Sequence, residues 1–163
     1  MLFGMGSDTK TYTATLILKL QEAGLLSLDD TIGKWIHNRP NINGQIRVRQ
    51  LLNHTSGLFN YLQHPSWASS TYANLNRVWQ PEEILPFVLA PDFAPGTGWN
   101  YSNTNYLVAG LIIKAVLNQP AYVTLRSRIL APQGLNNIFY YPNETPTGTI
   151  PHVWSPIATH TYM

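Results

Sequence analysis

The sequence contains no cysteine. That absence removes disulfides, thiolate metal sites and a cysteine nucleophile together. Charge is also scarce, with Asp, Glu, Lys and Arg at 11% of the chain where about 25% is usual. Ten basic residues against eight acidic ones leave a net charge of +2, far from the dense basic face that nucleic acid requires. No nucleic-acid partner is expected. Long apolar runs are missing as well. Leu16–Leu20 and Leu107–Leu117 fall well below a bilayer span and are interrupted by Lys19, Gly110 and Lys114, so no membrane span is expected. The first residues carry neither a basic segment nor a long apolar one, so no signal peptide is expected and the compartment stays open.

What remains is 163 residues, 44% of them hydrophobic and 12% aromatic, enough for one globular domain with a core of its own. Helical signals dominate. Ser7 to Ala23 reads as a first helix, apolar on more than one face, with Gly24 as its stop. Ser27-Leu28-Asp29-Asp30 has the pattern of a helix start and predicts a short helix through Trp35. Residues 37–45 form a turn-rich loop, and a helix is expected at Gln50–Leu52. Residues 58–80 look irregular and aromatic. Pro81-Glu82-Glu83 opens another helix to about Leu89, with Pro86 able to kink it. Asn103 or Thr104 is placed to cap a strong helix over Tyr106–Leu117, and Ala121–Leu130 is a further one. Residues 132–163 are turn-rich. No strand set is evident, which argues against a doubly wound sheet.

Gly4-Met5-Gly6-Ser7-Asp8-Thr9-Lys10-Thr11 admits two chemical readings. As a phosphate loop it fails at Thr9, where a glycine is needed for backbone amides to wrap the anion. As Ser-x-x-Lys at a helix start it places Lys10 on the same face as Ser7, within reach of its hydroxyl. A serine needs a base beside it to attack, and a lysine serves only when its surroundings depress its pKa from about 10.4. A bland alternative is a serine cap followed by a solvated lysine. Tyr101-Ser102-Asn103 then sits on a tight turn before a helix, where a phenol can exchange a proton and an amide can hold a lysine or a substrate carbonyl. The five histidines show no ligand spacing, and neither a metal nor another cofactor is expected.

These motifs, in this order, resemble the serine β-lactamase-related family, which includes class C β-lactamases, D-alanyl-D-alanine carboxypeptidases and related esterases. The resemblance is carried by Phe3 and Gly6–Ala14, by Leu28-Asp29-Asp30-Thr31-Ile32, and by Arg49–Leu58. Phe93-Ala94-Pro95-Gly96-Thr97 and Tyr101-Ser102-Asn103 complete it. It implies Ser7 as the acylated nucleophile, Lys10 as its proton acceptor, Tyr101 as the partner acid/base, and Asn103 as the residue positioning Lys10 and substrate. His54 belongs to a segment that ends a structural helix in such proteins. The implied reaction is acyl transfer to water through an acyl-enzyme, on a small ester, lactam or peptide.

The departures from the family are also informative. The family's third motif, Lys-Thr-Gly or His-x-Gly on a strand that also supplies an oxyanion-hole amide, has no counterpart. Pro146-Thr147-Gly148 has proline where the cation belongs. The expected architecture is therefore mostly α, the helical part of the β-lactamase/transpeptidase-like fold without most or all of its central sheet. Residues 1–163 form a single, partial domain. Asp8 is unusual beside Ser7 and Lys10, since an acid there favours a protonated amine. Three functions stay open: a weak serine hydrolase, a non-catalytic homologue, or a helical interaction module. A homo-oligomer covering the Ser7–Ala23 helix is expected from its apolar faces.

Overall fold

The computed structural model describes residues 2–37 and 39–149; the expectations for residues 150–163 lie outside them. A 3-10 turn at Gly6–Asp8 leads into α1, Thr9–Glu22. The short helices α2 (Val48–Leu52), α3 (Trp67–Tyr72) and α4 (Pro81–Ile84) follow, then the long α5 (Asn103–Leu117) and α6 (Ala121–Leu125). Among the described residues there are no strands beyond one isolated bridge, Thr31 with Arg47. The architecture is the helical part expected.

α1 ends as its sequence requires. Gly24 takes φ 69, and the Leu25 and Gly24 N–H groups return to the Leu20 and Gln21 carbonyls, a Schellman stop. Its apolar residues lie less evenly than expected. Leu16, Ile17 and Leu20 are buried against α5 and α6, whereas Leu18 stands half-exposed among Lys19, Gln21 and Glu22. The helix buried nearly all round is α5. Val108, Ala109, Ile112 and Ile113 enter the main core with α1, and Leu107 and Leu111 enter a second cluster with Tyr61, Trp67, Ile84, Leu85 and Val88. Each such aliphatic side chain contributes roughly 1.5–3 kcal/mol on burial.

The helix expected over residues 27–35 does not form, apart from a single 3-10 turn at Ile32–Lys34. The Ser27–Asp30 signal closes a turn instead: the Ser27 N–H donates to Asp30 Oδ2 at 2.8 Å and the Asp29 N–H to Ser27 Oγ at 3.1 Å. The Leu28 and Asp30 carbonyls accept from the Arg49 and Val48 N–H groups, so they are not available to a helical ladder. Asp29 completes the junction, with Arg47 Nη1 at 3.0 Å and Arg49 Nη2 at 2.7 Å.

Residues 58–80 are more ordered than expected. A 3-10 turn at Tyr61–Gln63 and α3 frame an aromatic cluster of Tyr61, Trp67, Trp79 and Phe87. After Ile84 the helix tightens to a 3-10 turn around Pro86, Leu85–Phe87, and α6 continues as a π-turn over Arg126–Leu130. Arg126 there holds the segment beyond it. Its side chain donates to Glu144 and to the Ile138 carbonyl, and the Tyr140 N–H donates to Glu144 Oε2 at 2.8 Å. Among the described residues no single helix is long and apolar enough to cross a membrane.

Candidate active site

α1 and α5 begin side by side, and the side chains singled out in the sequence meet there. Ser7 lies in the 3-10 turn just before α1, and Lys10 one turn on. Lys10 Nζ donates to Ser7 Oγ at 3.2 Å, as three-residue spacing on a helix allows. The Tyr101 hydroxyl is 2.8 Å from Ser7 Oγ. Lys10 Nζ also donates to Asn103 Oδ1 at 2.7 Å. Ser7, Lys10, Tyr101 and Asn103 thus form one connected cluster, its longest-range contact joining residues 94 positions apart in sequence. A hydroxyl held between an amine and a phenol can pass its proton to either. Asp8 forms no ion pair with Lys10 among the described residues.

The electrostatics favour ionisation of the phenol. Burial pushes the Tyr101 pKa up, but its interactions with Lys10 and the Ser7 hydroxyl outweigh that and hold it below the ordinary tyrosine value. Lys10 Nζ also stands 5.1 Å from the Tyr101 ring centre, so the same cation faces both the ring and the serine.

Asn103 does not cap α5, as the sequence suggested it could. Ser102 occupies the cap position in extended backbone without a side-chain cap bond, and its Oγ is buried without a partner. The cap comes from elsewhere. Asn60 Oδ1 accepts from both the Asn103 N–H and Asn103 Nδ2, each at 3.3 Å. This fixes the amide with its oxygen toward Lys10. Thr104 likewise serves a neighbour, accepting the Tyr61 N–H at 3.1 Å and donating to the Phe59 carbonyl at 2.6 Å.

His54, read from the sequence as structural, and Ser56, Asn60 and Asn105, which the sequence did not single out, build the support of the site. The one signal for Asn60 is a lone amide within Leu58-Phe59-Asn60-Tyr61. Loop 91–100 is stitched to the same strip: Asp92 N–H to the Gly57 carbonyl, Gly96 N–H to that of Thr55, and Asn100 N–H to that of His54.

A groove of about 260 Å³ runs from Ser7 and Lys10 between α1 and α5, past Thr13, Leu16, Gly110, Ile113, Leu125 and Tyr140. Its lower part is apolar, so it suits an apolar group attached to a polar reacting centre. Among the described residues no cluster of three or more His, Asp or Glu is placed to hold a metal ion.

The family profile described as Beta-lactamase matches residues 1–156. The chain belongs to that family. Among curated relatives, it is 30% identical over 155 residues to penicillin-binding protein 4* of Bacillus subtilis, covering 93% of this chain and 33% of that protein. Among solved structures, it superposes on a D-stereospecific amidohydrolase from Streptomyces sp. with a TM-score of 0.77 and 38% identity, over 81% of this chain and 42% of that one. The octameric penicillin-binding protein homologue from Pyrococcus abyssi matches with a TM-score of 0.68 and 30% identity, over 86% and 33%. The chain therefore spans less than half the length of each.

Proposed function

We propose that this chain carries the nucleophilic half of an acyl-transfer site, hydrolysing an ester or amide through an acyl-Ser7 intermediate. The observation that carries the proposal is the contact set around Ser7 Oγ, with Lys10 Nζ at 3.2 Å and the Tyr101 hydroxyl at 2.8 Å. Ser7 Oγ adds to the carbonyl carbon, and its proton passes to Lys10 or Tyr101. The leaving amine or alkoxide departs with a proton from the same pair, and water then repeats the sequence on the acyl-enzyme. Asn103 holds Lys10 and offers its amide to the substrate.

The apolar groove beside Ser7 favours substrates with an apolar acyl or side-chain group. The Streptomyces relative's D-stereospecific amide hydrolysis suggests D-configured amides as one class to test, alongside esters and β-lactams. Turnover by residues 1–163 alone is expected to be slow. No strand faces Ser7 among the described residues, and one missing oxyanion donor costs about 10²–10³ in kcat. As to assembly, the half-exposed Leu18 on α1 and the octameric relative support a homo-oligomer that covers this side of the helix, to be checked by light scattering.

The test is intact mass after a fluorophosphonate probe. A single adduct on the wild type that is absent from Ser7→Ala is expected. Equal labelling of both proteins, or of neither, would overturn the proposal.

A further inference from the structure

His54 sits beneath the Tyr101 turn in an unusual backbone state, φ 62, which costs a non-glycine residue roughly 1–2 kcal/mol. The surroundings hold it there. Its ring centre lies 4.6 Å from that of Tyr101, 5.6 Å from that of Tyr106 and 6.2 Å from that of Trp99, which stands nearly perpendicular to it. Nδ1 accepts the Ser102 N–H at 3.2 Å and stands 3.0 Å from Asn105 Nδ2. A backbone N–H can only donate, so Nδ1 carries no proton. Asn105 Oδ1 accepts from the Ser56 hydroxyl, which turns the amide nitrogen toward the ring as a second donor. An imidazole protonated on Nε2 alone offers its Nδ1 lone pair to be shared by both donors. An imidazolium satisfies neither.

We propose that His54 is a positioning residue for Tyr101: as a neutral ring it holds the phenol against Ser7, and its protonation releases the turn and stops proton transfer there. This rests on the acyl-transfer function proposed for Ser7. The groups facing the ring are Lys10 from α1, Asn105 and Tyr106 from α5, and Trp99, Tyr101 and the Ser102 N–H from the preceding loop; the Asn100 N–H donates to the His54 carbonyl. Asn100 also donates to Asp92 Oδ2 at 2.8 Å, which ties that carboxylate to the loop. Burial, and then the charge on Lys10, hold the His54 pKa below its ordinary value. The neutral form therefore persists below the usual histidine range, and the loss belongs on the acid side of the profile.

Two substitutions separate the parts. His54→Asn retains an acceptor near the Nδ1 position, tolerates positive φ and does not titrate. His54→Phe keeps a ring and leaves both donors unpaired. Fluorophosphonate labelling of the wild type is expected to fall along an acid limb that tracks the His54 titration seen by NMR. His54→Asn should lose that limb and keep its neutral-pH rate within about tenfold. His54→Phe should lose about 10²-fold, the scale of a reacting group misplaced by ~1 Å. The Tyr101 phenol titration gives a readout that needs no reaction: His54→Phe should move it up toward the ordinary value, and His54→Asn should leave it in place.

A wild type that does not label but shows this Tyr101 response would overturn acyl transfer and keep the positioning role. Labelling and Tyr101 titration both unchanged by His54→Phe would overturn positioning. Should His54→Phe fail to fold, an acid limb that persists in His54→Asn would do the same.

Discussion

Lys10 Nζ donates to Asn103 Oδ1 at 2.7 Å, and the Asn103 amide is locked from its other side by Asn60. The lysine therefore has a fixed place rather than a cone of rotamers. Asn103→Ala should unlock it and leave Asn60 with a lost donor. Probe labelling of Ser7 is expected to slow by about 10²-fold with the far-ultraviolet circular dichroism unchanged. Labelling at the wild-type rate would show that Lys10 needs no such anchor.

Tyr101 ionises below the ordinary tyrosine value through its contacts with Lys10 and Ser7, against the opposing effect of burial. Removing the cation removes part of what favours the phenolate. Lys10→Gln should therefore raise the Tyr101 titration, read as ultraviolet absorbance against pH with Tyr101→Phe as the blank. In Tyr101→Phe itself, labelling should fall by about 10²–10⁴-fold, the usual worth of a positioned proton carrier.

Gly57 has φ 78, and a Cβ there would stand 2.0 Å from the Phe93 carbonyl oxygen. Gly57→Ala must break the backbone contact between the strip at His54 and the loop that ends in Tyr101. The left-handed backbone alone costs about 1–2 kcal/mol, and the displaced carbonyl adds to it. A drop in thermal midpoint of several degrees is expected, with Ser7 labelling reduced even where the protein is folded.

Glu144 is held below the ordinary carboxyl range by its hydrogen bond to Arg126 and by the Tyr140 N–H, against a smaller upward effect of burial than that of Arg126. A depressed carboxyl stabilises above its unfolded pKa, and that stability is lost as pH falls through the folded one. The segment carrying Tyr140 into the groove should thus loosen in acid. Glu144→Gln should loosen it at neutral pH. Charged hydrogen bonds contribute about 1.5–3 kcal/mol, so amide exchange at Tyr140 should quicken at least tenfold. Exchange unchanged by the substitution would show that apolar packing alone holds the segment.

The chemistry was more legible in the sequence than its support. Ser7 and Lys10 are three residues apart on one helix, and Tyr101 and Asn103 share one turn; local spacing and family resemblance suffice to single them out. Asn60, Ser56 and Asn105 act across more than 40 positions, and no periodicity marks a buried amide that caps another segment's helix. α5 was placed well because nearly every face of it is apolar, though its first turn, Asn103–Asn105, was taken for cap and not helix. The helix expected after Ser27 failed for a related reason: its turn chemistry is real, but its carbonyls are used by Val48 and Arg49. Local signals say which hydrogen bonds are wanted, and tertiary structure decides who supplies them.

The adjacent starts of α1 and α5 have a consequence for charge. Fourteen and fifteen residues long, the two helices both begin at the Ser7–Lys10–Tyr101–Asn103 cluster, and each such end carries about half a positive elementary charge. The cluster therefore occupies a small positive well that owes little to the chain's net charge of +2. Salt screens such terminal charges as it does surface ones, so raising ionic strength weakens the well. A phenolate or an oxyanion formed at this spot is favoured by that field, which does not replace the hydrogen-bond donor missing opposite Ser7 among the described residues.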